Sequence, residues 1–236
     1  MNINLFRSDE RGSGEYGWLK IRYSFSFADY FDPKRERFGA LRVCNEVELQ
    51  GGAVIGPVSH QNLEIFLLPL SGTFGLAASD GRIRNVNANH PLLISAGSGI
   101  EYSISAASGT ETCRFLELWI FPDRKNTEPA VLHVPEPDLR QSGNLQVLVS
   151  ADGNDGSACI KQQARILRLK IRKGNTGTFQ PIFPESNLFV FVISGKVETD
   201  GFTAAEGDAL AVTECFVLRM NALNDCVLML AEAPGC

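Results

Sequence analysis

Short apolar segments recur along the whole chain, and they constrain its fold more than any other feature of the sequence. Examples are YSFSFADYF (23–31), LEIFLLPL (63–70), ARILRLKI (164–171) and LFVFVIS (188–194). Such segments alternate apolar with polar residues or are continuously apolar, and Gly, Pro, Asn and Asp separate them, as is typical of strands and turns. No stretch keeps an apolar i, i+3, i+4, i+7 stripe beyond about two turns. The sequence therefore predicts an all-β protein built as a sandwich or a barrel.

An internal similarity divides the chain into two halves. IFLLPLSGTFGL (65–76) and LFVFVISGKVET (188–199) each contain an apolar strand, a Ser-Gly turn and a second strand, about half the chain apart. Segment 121–144 lies between them and is rich in proline and charge, as linkers often are. We therefore expect two similar β domains in tandem, residues 1–130 and 131–236.

The charge balance and the first residues narrow the range of partners. The 22 Lys and Arg residues against 27 Asp and Glu residues give a net charge of −5, so no broad basic surface for nucleic acid is expected. Residues 1–18 carry charges where a secretory signal needs an apolar segment, and no apolar run is long enough to span a bilayer. We expect a cytoplasmic protein that binds neither membranes nor nucleic acid.

The six cysteines are scattered and form no CxxC pair. This spacing is unlike a zinc ribbon or the disulfide framework of a small secreted domain, and most of these thiols are expected to be small apolar core residues. Cys236 differs because it ends the chain after Pro234 and Gly235. It is either an ordinary frayed end or an exposed, oxidisable thiol.

Five segments of the first half together resemble the pirin family. They are YSFSFADYFDP (23–33), FGALRVCNEV (38–47), SHQNLEIFLLPLSG (59–72), ISAGSGIEYS (94–103) and LELWIFP (116–122), in the order and approximate spacing of pirin signature blocks. Pirins are bicupins, so the resemblance implies two tandem cupin barrels of the jelly-roll type. The second half is similar in architecture more than in residues.

The resemblance also identifies positions for a metal site inside the first barrel. Metal-binding pirins have three histidines and a glutamate there, a set that suits iron, manganese or another divalent ion and leaves positions open for substrate. The corresponding positions here hold Val58, His60, Tyr102 and Ile104, so one ligand of four is kept. We therefore expect a degenerate site that holds no metal, and no cofactor.

Two interpretations of His60 stay open. Gly52, Val58, His60 and Glu64 fit the spacing of the general cupin pattern, so a metal site made of His60, Glu64 and Tyr102 is conceivable. Tyr102 would then have to bind as a phenolate, which at neutral pH requires its pKa to fall far below the usual value. The preferred interpretation is a buried histidine that is hydrogen-bonded to Tyr102 or Glu64.

The remaining candidates are expected to be structural. His90 is expected to shape a turn, and His133 lies in the linker. In the second barrel the cupin pattern gives Phe183 and Glu185 at the histidine positions and Phe189 at the carboxylate position, so no ligand set exists there. We expect Phe179, Phe183, Phe189 and Phe191 to fill this barrel or its mouth.

Three hypotheses for function follow. The favoured one is a non-catalytic bicupin that binds a small aromatic ligand, or acts as a regulator through a protein partner, with a cavity lined by Val58, His60, Glu64, Tyr102 and Ile104. The second, implied by the resemblance, is a metal-dependent dioxygenase of the quercetin type with a remodelled site. The third is a thiol-based redox or stress sensor.

Overall fold

The computed structural model describes residues 1–87, 90–134 and 145–235, and nearly all of its regular structure is β-strand. Short 3-10 segments occur at Ser8–Glu10 and Asn154–Gly156. The strands are β1 (Asn2–Phe6), β2 (Gly12–Glu15), β3 (Leu19–Tyr23), β4 (Leu41–Leu49), β5 (Val54–His60), β6 (Glu64–Ser71), β7 (Thr73–Ala78), β8 (Ile83–Asn87), β9 (Leu92–Ser95), β10 (Ile100–Ala106), β11 (Cys113–Ile120), β12 (Ala130–His133), β13 (Leu145–Ser150), β14 (Ala158–Cys159), β15 (Arg165–Ile171), β16 (Thr176–Phe179), β17 (Ser186–Ser194), β18 (Lys196–Thr199), β19 (Phe202–Ala205), β20 (Ala209–Thr213), β21 (Leu218–Ala222) and β22 (Cys226–Pro234). The predicted all-β class is confirmed.

The strands form two barrels, each made of a seven-stranded and a four-stranded sheet. In the first barrel the sheet orders are β12-β9-β6-β11-β4-β3-β2 and β5-β10-β7-β8, and in the second they are β1-β20-β17-β22-β15-β13-β14 and β16-β21-β18-β19. Each barrel encloses its own apolar core, drawn from both of its sheets. The prediction of two tandem cupin barrels is thereby confirmed.

The N-terminal strand belongs to the sheet of the second barrel. β1 pairs antiparallel with β20, from Asn2 opposite Thr213 to Phe6 opposite Ala209. β12, in contrast, stays with the first barrel and pairs with β9. The division of the chain near residue 130 stays a prediction, and β1 crosses from the first half of the chain to the sheet of the second barrel.

The two continuously apolar strands, β6 and β17, are buried on both faces. Ile65 and Leu67 point into the core of the first barrel, whereas Phe66 and Leu68 belong to a third core that lies between the barrels. In β17, Leu188, Val190 and Val192 fill the second barrel while Phe189 and Phe191 enter the shared core. Burial on both faces explains why these strands lack the alternation of half-exposed strands.

The expected position of the four phenylalanines is therefore only partly right. Phe179 lies in the core of the second barrel, but Phe189 and Phe191 pack between the barrels. The reason is the period of two along β17, which sends neighbouring residues to opposite faces. Phe189 contacts Phe6, Phe25 and Phe38, with ring centroids 5.9, 5.3 and 6.2 Å away.

Within the described residues, no helix is long and apolar enough to cross a membrane. Residues 135–144 of the expected linker and Cys236 lie outside the described part of the chain.

Candidate functional site

The strand pair β5–β10 brings four of the five predicted site residues to the inside of the first barrel. Val58 is the register partner of Tyr102, and His60 is the partner of Ile100. Tyr102 and Ile104 are buried in the barrel core, and Val58 packs against it. The alternation of side chains thus places on one inward face the positions that the resemblance relates to metal ligands.

The ring of His60 lies at the mouth of the barrel between two aromatic rings. Its centroid is 5.6 Å from that of Tyr102 and 4.6 Å from that of Trp119, which it meets edge to face. An open depression of about 480 Å³ leads to this point. It is lined by Ser59, His60, Gln61, Ser79, Ser98, Gly99, Ile100 and Glu101.

Both titratable rings are held in their uncharged forms. Burial lowers the pKa of His60, and burial together with the charge of Glu117 raises the pKa of Tyr102 well above its ordinary value. Tyr102 is therefore a phenol, a much poorer metal ligand than a phenolate. The expected hydrogen bond between His60 and Tyr102 or Glu64 is not among those of the described residues; the contacts of His60 are ring contacts instead.

Glu64 does not join this group, which corrects the cavity predicted from the sequence. It shares a strand face with Phe66 and Leu68, which pack between the barrels. Its Oε2 accepts hydrogen bonds from the Ser95 hydroxyl at 2.7 Å and from the backbone N–H of Lys161 at 3.4 Å. Burial raises the pKa of Glu64. The side chain therefore links the two barrels and faces away from His60.

A different carboxyl group, Glu117, lies on the inner face of the first barrel. It alternates with Phe115 and Trp119 along β11, and both of those residues pack in the inner core. Burial raises the pKa of Glu117 to about 7. Hydrogen bonds from Trp119 and from Asn45, its cross-strand partner, lower this pKa but do not outweigh burial. Glu117 is thus partly a neutral carboxylic acid at neutral pH.

The sequence contains an indication that Glu117 and Asn45 lie inside the barrel. In FLELWIF (115–121) the polar Glu117 stands at an inward position between two aromatic residues of the same strand face. Asn45 is one of the buried polar residues and is just 1% exposed. Its inward position beside Val47 and Leu49 of the same strand face is a similar indication of a polar group in the interior.

The other histidines do not approach the ligand positions in a way that completes a metal site. Among the described residues, no group of three or more His, Cys, Asp or Glu side chains could hold a metal ion. Nδ1 of His90 lies 2.8 Å from Oδ1 of Asn87 at the end of β8, as expected for a turn. His133 is exposed on β12. The donor set around His60 therefore does not fit the metal that the resemblance implies.

In the second barrel, one buried ion pair occupies the interior near the strand ends. Glu232 is fully buried, and its Oε2 accepts hydrogen bonds from Nε and Nη2 of Arg165 at 2.9 and 2.6 Å. Its Oε1 accepts bonds from the Ser186 hydroxyl and from the N–H groups of Ile182 and Phe183. Every acceptor of Glu232 is used inside the protein, which indicates a structural role.

Three of the described cysteines have thiols whose reactive form is disfavoured by burial. Burial raises the pKa of Cys44 to about 12 and also raises the pKa of Cys113 and Cys215. Such thiols stay protonated at neutral pH, and the thiolate is the reactive form.

Two paired barrels, each made of a seven-stranded and a four-stranded sheet around its own core, define the protein as a bicupin. Residues 6–120 match the family model for pirin, and residues 147–233 match the model for the quercetinase C-terminal cupin domain. The chain belongs to the pirin family.

Relatives and solved structures agree with this assignment over the full length. Quercetin 2,3-dioxygenase of Escherichia coli strain K12 is 30% identical over 98% of this chain and 99% of its own. The crystal structure of YhhW from Escherichia coli superimposes with a TM-score of 0.94 at 30% identity, covering 100% of this chain and 99% of that one. A structure of bacterial pirin YhhW in complex with nickel(II) gives a TM-score of 0.93 at 29% identity and covers 100% of both chains.

Proposed function

We propose that this chain is a pirin-family bicupin that has lost the family's metal-ligand set and binds a small, uncharged aromatic molecule in the first barrel, in a non-catalytic or regulatory role. One observation carries the proposal: of the four positions, only His60 offers a metal donor, since Val58 and Ile104 are aliphatic and Tyr102 is a neutral phenol. A single imidazole holds a divalent ion weakly.

The surroundings of His60 favour an organic ligand over an ion. Trp119 and Tyr102 offer ring faces and edges beside it. Val58 and Ile104 make the same wall apolar. Pockets for small organic molecules are mostly apolar and aromatic, with a few polar groups that fix orientation.

A thermal-shift experiment tests ligand binding directly. We expect naphthalene-sized and flavonoid compounds to raise the Tm of the wild-type protein, because a ligand of the native state stabilises it by mass action. Val58→Arg places a charged side chain on the inner wall and should abolish the shift. Val54→Arg is the matched control, because Val54 lies on the same strand but is 50% exposed. No shift with any compound in the wild-type protein would refute the proposal.

A quercetin dioxygenase with a remodelled site is the second candidate, supported by the names of relatives that are about 30% identical. It predicts oxygen consumption with quercetin after the protein is loaded with iron, manganese or nickel. We expect the rate to equal the background without enzyme. A rate above background that His60→Ala abolishes would favour this candidate instead.

A further inference from the structure

A polar cleft of about 600 Å³ lies where the two barrels meet, outside the interior of the first barrel. One wall is the outer face of β2, β3, β4 and β11 of the first barrel. The other wall is the 3-10 segment Ser8–Glu10 together with Glu206 and Gly207 of the second barrel. The backbone N–H of Ser8 donates a 2.7 Å hydrogen bond to Oδ1 of Asp208, which fixes this segment to the second barrel. Clefts between domains are frequent ligand sites.

A buried guanidinium group lies at the base of this cleft. Only 1% of the Arg11 side chain is exposed, and its Cζ lies 5.1 Å from the ring centroid of Phe191 in the core between the barrels. Its Nη1 donates to Oε2 of Glu46 at 3.3 Å and its Nη2 to the carbonyl of Arg22 at 2.9 Å, whereas Nε has no acceptor within the described residues. Oε1 of the same Glu46 accepts a 2.5 Å bond from Nη2 of Arg114. Two guanidinium groups therefore share one carboxylate.

The charges of the cleft are divided unequally between its two walls. Four cations line the side of the first barrel, and three glutamates accompany them; the cations are Arg11, Lys20, Arg22 and Arg114. The facing wall contributes Asp9 and Glu206 and, within the described part of the chain, no cation. The hydrogen bond to Glu46 raises the pKa of Arg114, and the charge of Glu206 adds to this shift, although these two side chains form no ion pair. A net positive wall thus faces a net negative one.

Three exposed charged groups of the cleft remain open to a ligand. The side chains of Arg22, Asp9 and Glu206 form neither a hydrogen bond nor an ion pair within the described residues. Arg22 is the register partner of Glu46 across β3 and β4, but both oxygens of Glu46 are bonded to other guanidinium groups. The cleft therefore offers a guanidinium on one wall, and two carboxylates on the other, for charge-assisted hydrogen bonds to groups of opposite charge.

We propose that this cleft binds a small zwitterion, of the chemical class of short peptides and free amino acids, with its carboxylate at Arg22 and Arg114 and its ammonium group at Asp9 and Glu206. A purely anionic ligand would meet the carboxylates of the second wall, and a purely cationic ligand would meet the excess of cations on the first wall. Juxtaposed like charges are unfavourable, so a ligand that carries both charges fits best. The cleft is separate from the barrel interior, and this inference does not rest on the proposed function.

Isothermal titration of matched probes at neutral pH tests the inference. Trialanine carries both charges, N-acetyltrialanine lacks the ammonium group, and trialanine amide lacks the carboxylate. We expect trialanine to bind the wild-type protein about tenfold or more tightly than either derivative. L-Alanine separates the two sources of such a ligand. Both results with L-alanine support a zwitterion site, since affinity equal to that of trialanine identifies free amino acids and lower affinity identifies short peptides.

Two exposed positions allow the charges of each wall to be removed without disturbing a core. Glu206→Gln and Arg22→Gln should each weaken the binding of trialanine about fivefold, as expected for the loss of one solvent-exposed charge pair. Glu206→Gln should not weaken the binding of N-acetyltrialanine, which has no ammonium group. Glu198→Gln and Arg124→Gln are matched controls, because they remove the same charges from exposed positions that do not line the cleft. Both controls should bind trialanine like the wild type.

Three outcomes would overturn the inference. The first is equal affinity of the wild-type protein for trialanine and both of its derivatives, because charge would then play no part in recognition. The second is a loss of affinity in the control variants that equals the loss in Glu206→Gln and Arg22→Gln. The third is the absence of binding by both trialanine and L-alanine, which would leave the cleft as a solvated seam between the barrels.

Discussion

At the scale of single residues, the inner wall of the first barrel carries the residues on which the proposed function rests. Val58, Tyr102 and Ile104 lie where the family pattern places metal ligands, and their side chains point inward. The family resemblance identified these positions, and the alternation of side chains along β5 and β10 explains why they share one face. Glu64 was misplaced because spacing along the chain does not reveal which strand face meets the other barrel.

Glu117 was missed for a complementary reason. Its charge resembles that of any surface residue, and only the inward positions of Phe115 and Trp119 show that it is enclosed. A carboxyl group in such surroundings has a raised pKa. The folded state therefore binds a proton that the unfolded chain releases at lower pH.

The stability of the protein should depend on the charge of Glu117. Burial raises its pKa from 4.5 to about 7, so the folded state loses stability as the pH rises from about 4.5 to about 7, after which the loss is constant. Glu117→Gln should remove this dependence and raise the free energy of unfolding at pH 8 by about 1–3 kcal/mol relative to pH 4.5, compared with the wild type. Urea unfolding at the two pH values measures the difference.

Glu48→Gln serves as the control in the same experiment, because Glu48 is on the surface. Equal pH profiles for the wild type and Glu117→Gln would contradict a buried carboxyl group at this position.

At the scale of elements, the internal similarity of the sequence marks an equivalent turn in each barrel. Gly72 has a φ of +71° and Gly195 a φ of +91°. A Cβ at Gly72 would press on Thr112 and Cys113, and one at Gly195 would press on Asp225 and Cys226. Glycine is therefore required at both positions, because the backbone has a positive φ and passes close to the start of a neighbouring strand. The Ser-Gly motif was predictable from the sequence, whereas residues 2–6 by themselves do not specify that β1 pairs with β20.

Alanine substitutions separate these two roles of glycine. Gly201 has a φ of +80° with open space around its Cα, so Gly201→Ala should cost about 1 kcal/mol through backbone strain alone. Gly195→Ala adds a steric overlap with Asp225 and should cost roughly twice as much or more. Chemical denaturation measures both. Equal losses would show that close packing at the turn is unimportant.

At the scale of the whole molecule, the apolar pattern and the repeat were enough to predict two β-barrels. They were not enough to predict the third core, where Phe66 of one barrel and Phe189 of the other belong to one cluster. A strand buried on both faces gives the same apolar run whether its second face meets a helix, a sheet or another barrel. The proposed function rests on the contrast between this bicupin architecture and the apolar side chains on the inner wall of the first barrel.

The most direct test is elemental analysis of two proteins after exposure to iron, manganese, nickel, copper and zinc followed by desalting. One is the wild type, and the other is the triple variant Val58→His, Tyr102→His and Ile104→Glu, which restores the donor set that the family resemblance implies. The account predicts negligible metal in the wild type and about one ion per chain in the triple variant. The reason is that the proposed difference from metal-binding pirins lies in these side chains and not in the barrel backbone. About one ion per wild-type chain, lost in His60→Ala, would contradict it.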